Sequence, residues 1–313
     1  MAEAALVGRG HPREKAFGHI LSALEDHLLD NVLDHMAFLL QHEVFGHGAR
    51  YREFGYTDNS YRLHLVFPYG DSKGWAFRGI PDSLRKITSS ENPMMTIGGF
   101  DAESLLSQVI LLGWVEKGAI YYRETWLYFF NSLGLSSNIL RTKYHLRGEG
   151  GNDILSYLGA VDPGVGIPEG RGDVLTIDNL TSRIWVNAIN PFLYFSLYAY
   201  FCWYLWMGED KMSLPMISIG PVKMLQLFRF GLTPYGTEYY FENFVKFSET
   251  AARVYIRYGM PDFCKSWGAG LSIANLIRGT RFSLGAKIDV WSQPSLLLGG
   301  ETVEKIRQGL GEI

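Results

Sequence analysis

The first part of the chain carries a hydrophobic pattern with helical spacing. From Glu14 to Phe45 the apolar positions recur mostly three or four residues apart, which places them in one broad stripe along an α-helix. The stripe comprises Leu21, Leu24, Leu28, Val32, Met36, Leu39 and Leu40. We therefore expect a long amphipathic helix, which the segment from Tyr51 to Gly55 ends.

Continued along the same helix, the pattern directs polar groups toward the core. Glu43 falls near the middle of the apolar stripe, His47 on its far side and His42 at its near edge. A buried carboxylate or imidazole is costly unless it is paired or bound to a metal. In a regular helix the two histidines would diverge by about 140°, too far for one ion. A bulge that absorbs one residue would bring them together, and Gly46 and Gly48 are where the backbone can adjust.

The run His42-Glu43-Val44-Phe45-Gly46-His47-Gly48 resembles the His-Glu-x-x-Gly-His motif of the dipeptidyl-peptidase III family of zinc peptidases. The resemblance implies a metallopeptidase site in which His42 and His47 bind Zn²⁺ and Glu43 is the general base. It further implies a third ligand, a Glu on a later helix, in a motif of the type Glu-Glu-x-Arg-Ala-Glu. Phe100-Asp101-Ala102-Glu103 matches that motif only in part, since the paired acids and the Arg are missing. The resemblance is confined to short motifs and implies a type of site, not a substrate.

A second helix, expected from about Thr96 through Trp114, offers the third ligand. Glu103 shares one face of this helix with Leu106, Ile110 and Trp114. An inward carboxylate beside inward histidines suits a metal ligand, and Asp101 is the alternative. Taken alone, Glu103 is explained by a first-turn position favoured by the helix dipole, whereas the inward Glu43 and His47 favour a third metal ligand. The Gly98-Gly99 pair would let the start of this helix approach another backbone closely.

Further elements are expected between the two predicted units. Ser60 to Phe67 has the alternation of a strand, and Trp75 to Phe77 could begin its return. Ala119 to Leu133 indicates another helix, whose Tyr122 and Arg123 could assist a polarised carbonyl. His145 is one more possible ligand.

Glycine and proline between Gly148 and Asp173 predict a long connecting loop. The predicted organisation is therefore a helical unit with the zinc site at 1–147, a connecting loop at 148–183 and a third part at 184–313.

The stretch from Ile184 to Met207 contains no charged residue and is long enough to cross a bilayer. Asn187, Asn190 and Pro191 interrupt it. A buried helix packed on other helices explains the stretch equally well.

From Leu214 onward the pattern changes to a period of two. Such runs cover Val222 to Leu232, Tyr239 to Phe247, Arg253 to Tyr258, Trp267 to Ile277 and Arg281 to Val290. They predict an antiparallel meander of about five or six strands with one apolar face, followed by a short charged helix from Glu301 to Ile313. The fold class is α+β, and a sheet wrapped further could form part of a membrane barrel.

Composition narrows the classes of partner. The charged fraction is 19%, below the roughly 25% of typical soluble domains, and aromatic residues make up 14%. A net charge of −3 without a basic run argues against nucleic acid as the main partner. The N-terminus lacks the layout of a signal peptide, so either the chain is not exported by that route or a signal was removed.

These patterns predict a zinc-dependent peptide or amide hydrolase that associates with a membrane, with a bacterial cell envelope as its compartment. Its partners would be a peptide or protein substrate and membrane lipid. The alternative is a non-enzymatic envelope protein with a helical cap on a β-sheet or barrel. In that alternative, His42, Glu43 and His47 only satisfy one another in the core.

Overall fold

The computed structural model describes residues 21, 30–65, 73–81, 91–144, 151–161, 175–259, 266–278, 283–292, 296–298, 301–303 and 309–312. The fold is α+β, as predicted: helices dominate the first two thirds of the described chain and an antiparallel sheet dominates the last third.

The predicted first helix is interrupted where the histidines lie. Helix α1 spans Asp30–Leu40, a π-helix (π1) spans Gln41–His47, and α2 spans Gly48–Glu53. The backbone N–H of Gly48 donates to the carbonyl of Glu43, a step of five residues instead of four. The bulge predicted near Gly46 is therefore confirmed.

Two small sheets follow. Strand β1 (Tyr56–Thr57) pairs with β4 (Ile80–Pro81), and β2 (Ser60–Leu63) pairs with β3 (Gly74–Phe77). The predicted strand at Ser60 and its return near Trp75 are thus both present.

The second predicted helix is longer than expected. Helix α3 spans Glu91–Lys117, so Glu103 lies in its interior. The explanation of Glu103 as a first-turn residue stabilised by the helix dipole is therefore wrong. Strand β5 (Ala119–Tyr121) and helix α4 (Tyr122–Lys143) follow.

The expected loop at 148–183 contains two helices. They are α5 (Asp153–Val161) and α6 (Ile177–Arg183). Each of them begins with a side-chain cap: Asn152 accepts from the N–H groups of Ile154 and Leu155, and Thr176 accepts from that of Asn179. The glycine and proline content of the segment predicted a loop because it does not reflect these caps.

The uncharged stretch after Ile184 forms three short helical pieces. They are α7 (Trp185–Ala188), α8 (Pro191–Tyr198) and a second π-helix, π2 (Ala199–Trp206). The break falls at Asn190, whose side chain accepts from the N–H of Phe192 and caps α8. In the described part of the chain, no helix combines the length and apolarity that a membrane crossing requires.

The meander is confirmed, and its sheet has seven strands in the order β15-β12-β11-β10-β9-β8-β7, each pair antiparallel. Its strands are β7 (Ile217–Ile219), β8 (Val222–Thr233), β9 (Gly236–Phe247), β10 (Thr250–Gly259), β11 (Trp267–Arg278), β12 (Ser283–Ser292) and β15 (Gly309–Glu312). Among the described strands the order is linear, with β7 and β15 at the edges, so the closed arrangement considered from the sequence is not formed by them. The other pairs are β5 with β6 (Lys211–Ser213) and β13 (Leu296–Leu298) with β14 (Glu301–Val303).

The predicted C-terminal helix is wrong. Residues of β14 and β15 are extended, and β15 pairs with β12 between Ile288 and Trp291. Gly309 and Gly311 disfavour a helix, while the edge of β12 offers backbone partners for a strand.

The helices and the main sheet share two clusters of buried hydrophobic residues. The first contains buried side chains from α3, α4, α8, π2, the β5–β6 region and the main sheet: Leu111, Trp114, Val115, Ile120, Tyr128, Phe192, Leu193, Ala199, Met212, Leu214, Leu227, Phe244 and Ala251. Helix α3 lies at the centre of this arrangement, because it contacts π1 and α5 on one side and β8, β9 and β10 on the other.

Candidate metal centre

The π-helix is fixed to α3 by hydrogen bonds from three of its side chains. Gln41 Nε2 donates to the carbonyl of Ala102 at 2.9 Å, and His47 Nδ1 donates to that of Met95 at 2.8 Å. The third bond joins His42 Nδ1 to Glu103 Oε1 at 2.5 Å. Both imidazoles are therefore held from the same helix.

Glycines allow the two helices to approach this closely. A Cβ on Gly46 would lie 2.5 Å from the Cα of Gly99, and one on Gly99 would lie 2.4 Å from the His42 ring. The close approach predicted for Gly98-Gly99 is confirmed, although the pair lies within α3 and not at its start. Only residues without a side chain fit at this crossing.

The hydrogen bonds of His42 and His47 determine which nitrogen of each imidazole is free to bind a cation. The Met95 carbonyl can only accept, so His47 carries its proton on Nδ1, and the Glu103 carboxylate has the same effect on His42. In the neutral rings both Nε2 atoms then present lone pairs, and they lie 3.2 Å apart. Two acceptors at this distance require a cation between them, either a proton or a metal.

Asp153 completes the group. Its Oδ2 lies 3.2 Å from His42 Nε2 and 3.5 Å from His47 Nε2, and the three residues form a set that could hold a metal ion. Ligands bound tetrahedrally at about 2.0–2.1 Å from zinc lie about 3.3–3.4 Å from one another. All three separations agree with that geometry to within about 0.2 Å.

Asp153 lies inside the segment predicted to be a connecting loop. Helix α5 begins at this residue, and the Asn152 side chain caps its first turn. The signal was present as an Asn-Asp pair before apolar residues at helical spacing. The bond from Thr142 Oγ1 to Asn152 Oδ1, 3.1 Å long, ties the start of α5 to α4.

Glu103 contacts Nδ1 of His42, the ring nitrogen that faces away from His47 and Asp153. It is therefore not one of the three residues whose atoms could hold a metal ion together. A carboxylate that accepts from the outer N–H of a ligating histidine orients the ring and increases its basicity. Glu103 is 1% exposed, and a Cβ on Gly134 of α4 would overlap its Oε2. Within the described part of the chain that oxygen has no hydrogen-bond partner, and Glu103 lines a cavity of about 200 Å³ between α3, α4 and the sheet.

Glu43 lies beside the histidines and under strand β3. A Cβ on Gly74 would be 2.9 Å from its Oε1, and the backbone N–H of Ala76 donates to its carboxylate. Burial raises the pKa of Glu43, and the neighbouring His42 and His47 oppose that shift. The residue is thus a buried carboxylate close to the group and held by a neighbouring strand.

The pKa values of the two histidines are raised, whereas the pKa of Asp153 is lowered. Burial opposes protonation of His42, but Glu103 and Asp153 outweigh it and hold its pKa well above the ordinary value. For His47 burial likewise opposes protonation, and Asp153 raises the pKa. Burial alone would raise the pKa of Asp153, but the two imidazoles hold it well below its usual range. The group has a strong affinity for positive charge.

Tyr51 was not singled out from the sequence. It follows His47 by four residues, and its ring is stacked on that imidazole with centroids 6.3 Å apart. Burial, reinforced by Asp153 and Glu43, raises the pKa of Tyr51 to about 12. It is therefore a neutral O–H donor beside the group.

The remaining sequence candidates lie elsewhere. Asp101 accepts from Arg50 Nη2 at 3.2 Å. Arg123 Nε donates to the Tyr122 hydroxyl at 2.8 Å, and Tyr122 stacks on Tyr204. His145 lies outside the described residues.

Comparison of the chain with protein-family profiles, with curated proteins and with solved structures finds no match.

Proposed function

We propose that the chain is a zinc-dependent hydrolase of peptide or amide bonds. Zinc would be held by His42 Nε2, His47 Nε2 and Asp153 Oδ2. The observation that carries the proposal is the set of separations among these atoms, 3.2, 3.2 and 3.5 Å. Separations of this size would allow the three atoms to bind one zinc ion together.

The ligand types support a catalytic rather than a structural zinc. Structural sites are closed by four protein ligands, commonly with several cysteines, whereas catalytic sites have three protein ligands and an open position. Two histidines and one carboxylate are also the ligand set of some non-haem iron sites. Elemental analysis of the bound metal distinguishes zinc from iron, because it identifies the ion directly.

Glu43 is the proposed general base. When bound, zinc supplies Lewis acidity that lowers the pKa of a coordinated water toward neutrality. The Glu43 carboxylate would accept the proton as the water attacks the substrate carbonyl, and it would then return that proton to the leaving amine. Burial assists this role, because it raises the pKa of Glu43 toward the working pH while Ala76 keeps the carboxylate oriented.

The neighbouring groups have supporting roles in the proposal. Glu103 orients His42 through Nδ1, and the Met95 carbonyl orients His47. Tyr51 would donate a hydrogen bond to the oxygen that becomes negative during attack, since its pKa of about 12 keeps the hydroxyl protonated.

The test begins with the metal content of the purified full chain. We expect about one zinc per chain by elemental analysis, lost in His47→Ala and in Asp153→Ala. Asp101→Asn, an acid two residues from Glu103 that pairs with Arg50, is the matched control and should retain the metal.

Activity is then measured against a mixture of fluorescence-quenched peptides. Glu43→Gln should keep the metal and lose roughly 10²–10⁴-fold in rate. A protein that binds no zinc and whose thermal unfolding does not respond to a chelator would contradict the proposal. That result would favour the alternative in which protons alone satisfy the group.

A further inference from the structure

The main sheet has charged side chains on the face that packs against the helices. Helix α3 contacts β8, β9 and β10, and Arg253, Arg257, Lys287 and Asp289 line the cavity between them. At its border Glu242, which is fully buried, accepts from Arg229 and from Arg253 at 2.8–3.1 Å. A sheet covered by helices usually presents an apolar face to them. Here that face is mixed, because Leu227, Phe244 and Ala251 pack in the hydrophobic core while charged groups occupy the rest of it.

The opposite face carries no charge across five strands. The strand register aligns rows through Ala252, Val254 and Ile256 from β8 to β12. These rows contain Met224, Val245, Ala252, Ile273 and Ala286; Gln226, Asn243, Val254, Leu271 and Ile288; and Phe228, Phe241, Ile256, Ala269 and Val290. Only Gln226 and Asn243 are polar, and both lie toward the β7 edge.

This face is also accessible. Phe228, Val254, Ile256, Ile288 and Val290 are between 37% and 58% exposed. We call this surface the outer face. Contiguous apolar surface of this extent on a protein indicates an interaction site.

We infer that the outer face contacts the acyl chains of a lipid bilayer. Strands with apolar side chains on one face and polar ones on the other are typical of sheets in membranes. Strands β8 to β12 are 10 to 12 residues long, and a tilted strand needs about 9–11 residues to cross the hydrocarbon layer.

An aromatic row marks one end of the outer face. In the row beyond Ile256, Tyr258 pairs with Trp267, and they are 51% and 53% exposed. On β9 and β8 the same row continues with Tyr239 and Phe230, which pack against the helices, so the exposed part of the row lies on β10 and β11. Tyrosine and tryptophan concentrate where hydrocarbon meets the headgroups. A lipid surface explains this boundary and the absence of charge together, whereas a second copy of the chain would explain only the absence of charge.

Unpaired backbone at an open edge is not tolerated in hydrocarbon. The edge strands β7 and β15 have three and four residues. We therefore expect each edge to gain a further partner segment in the lipid-bound form.

The experiment places a fluorescent reporter on the outer face of the full chain. Ile256→Cys is labelled with an environment-sensitive nitrobenzoxadiazole dye, in a background with Cys202→Ser and Cys264→Ser. On addition of phosphatidylcholine vesicles we expect a blue shift of the emission, and strong quenching by lipids that carry a nitroxide on the acyl chain. Ile80→Cys, on β4 and 72% exposed, is the matched control and should show neither change.

A second measurement tests the origin of binding. The unlabelled protein should float with the same vesicles in high and low salt, because an uncharged face does not depend on screened electrostatics. The double variant Ile256→Asp, Ile288→Asp should lose flotation while retaining its thermal unfolding transition.

Two results would overturn the inference. One is an unchanged emission at position 256 with vesicles present. The other is a dimer in lipid-free solution that already shields position 256, which would assign the face to a second copy. Neither result bears on the metal site, since zinc content is measured separately.

Discussion

His42 and Glu103 are joined by a hydrogen bond of 2.5 Å between Nδ1 and Oε1, both almost fully buried. The bond leaves His42 Nε2 to face His47 and Asp153. Glu103 therefore acts on the group through His42, in the way that an outer carboxylate orients a ligating histidine.

This relationship predicts a graded effect of substitution on zinc affinity. Glu103→Gln should weaken binding by about 10- to 100-fold, because the amide can accept the hydrogen bond but lacks the charge. Asp153→Asn should weaken it further, since it alters a proposed ligand. Affinity is measured by competition with a chromogenic chelator.

Asp101→Asn provides the control on the same helix and should leave affinity unchanged. If Glu103→Gln abolished binding while Asp153→Asn retained it, the roles of the two acids would have to be exchanged, and Glu103 would be the ligand.

A second prediction concerns the contact between Gly99 and the His42 ring. A Cβ at position 99 would lie 2.4 Å from that ring, and the ring is fixed from both of its nitrogens. Gly99→Ala should therefore destabilise the protein by about 1–3 kcal/mol and weaken zinc binding.

Gly113, also in α3, is the matched comparison. Apart from the backbone of its own helix, no atom of the described residues lies within 4 Å of a Cβ placed there, so Gly113→Ala should stabilise the helix by up to about 1 kcal/mol. Denaturant unfolding measures both variants. Equal effects of the two substitutions would mean that the crossing of π1 and α3 is looser than the structure indicates.

The sequence predicted those parts of the site that depend on local periodicity. The inward faces of Glu43 and His47 and the need for a bulge near Gly46 followed from the helical wheel, because an extra residue between two converging side chains must be absorbed by the backbone. The role of Gly98-Gly99 in close approach was expected on the same basis.

Contacts between distant segments were not predictable in this way. Asp153 is 111 positions from His42, and nothing local distinguishes a ligand at the start of a helix from an ordinary first-turn acid. Glu103 was recognised as inward-facing, but only its distances assign it to Nδ1 of His42. In the sheet, the alternation of apolar and polar residues predicted the strands and their apolar face. It could not predict which face the helices pack against, because that depends on contacts between distant segments.

A third prediction concerns pH. In the metal-free protein the pKa values of His42 and His47 are raised and that of Asp153 is lowered. Protonated histidines therefore contribute stability that is fully present below about pH 6.5, the unfolded value, and is lost as pH rises through their folded pKa. The contribution of Asp153 is lost only in acid, as pH falls below its ordinary range.

At the proposed site zinc would compete with these protons, so its stabilising effect should increase with pH. We expect the rise in thermal midpoint on adding zinc to be small at about pH 5.5 and larger at about pH 8. Scans with zinc and with chelator across that range measure the difference. His47→Ala should abolish the zinc-dependent increase, and an increase that is the same at both pH values would contradict proton competition at the group.

The last prediction concerns the buried charges of the sheet. Glu242 is fully buried, and one of its oxygens accepts from both Arg229 and Arg253. Removing the shared acid leaves two guanidinium groups without their counter-charge, so Glu242→Ala should cost about 3–5 kcal/mol of stability.

Asp178→Asn is the comparison. Its ion pair with Lys143 is solvent-exposed, with 79% of the Asp178 side chain accessible, and its loss should cost no more than about 1 kcal/mol. Denaturant unfolding of the two variants measures the contrast. Comparable small losses would show that solvent reaches the inner face and screens its charges, whereas a large loss for Glu242→Ala alone supports a dry, paired cluster between the helices and the sheet.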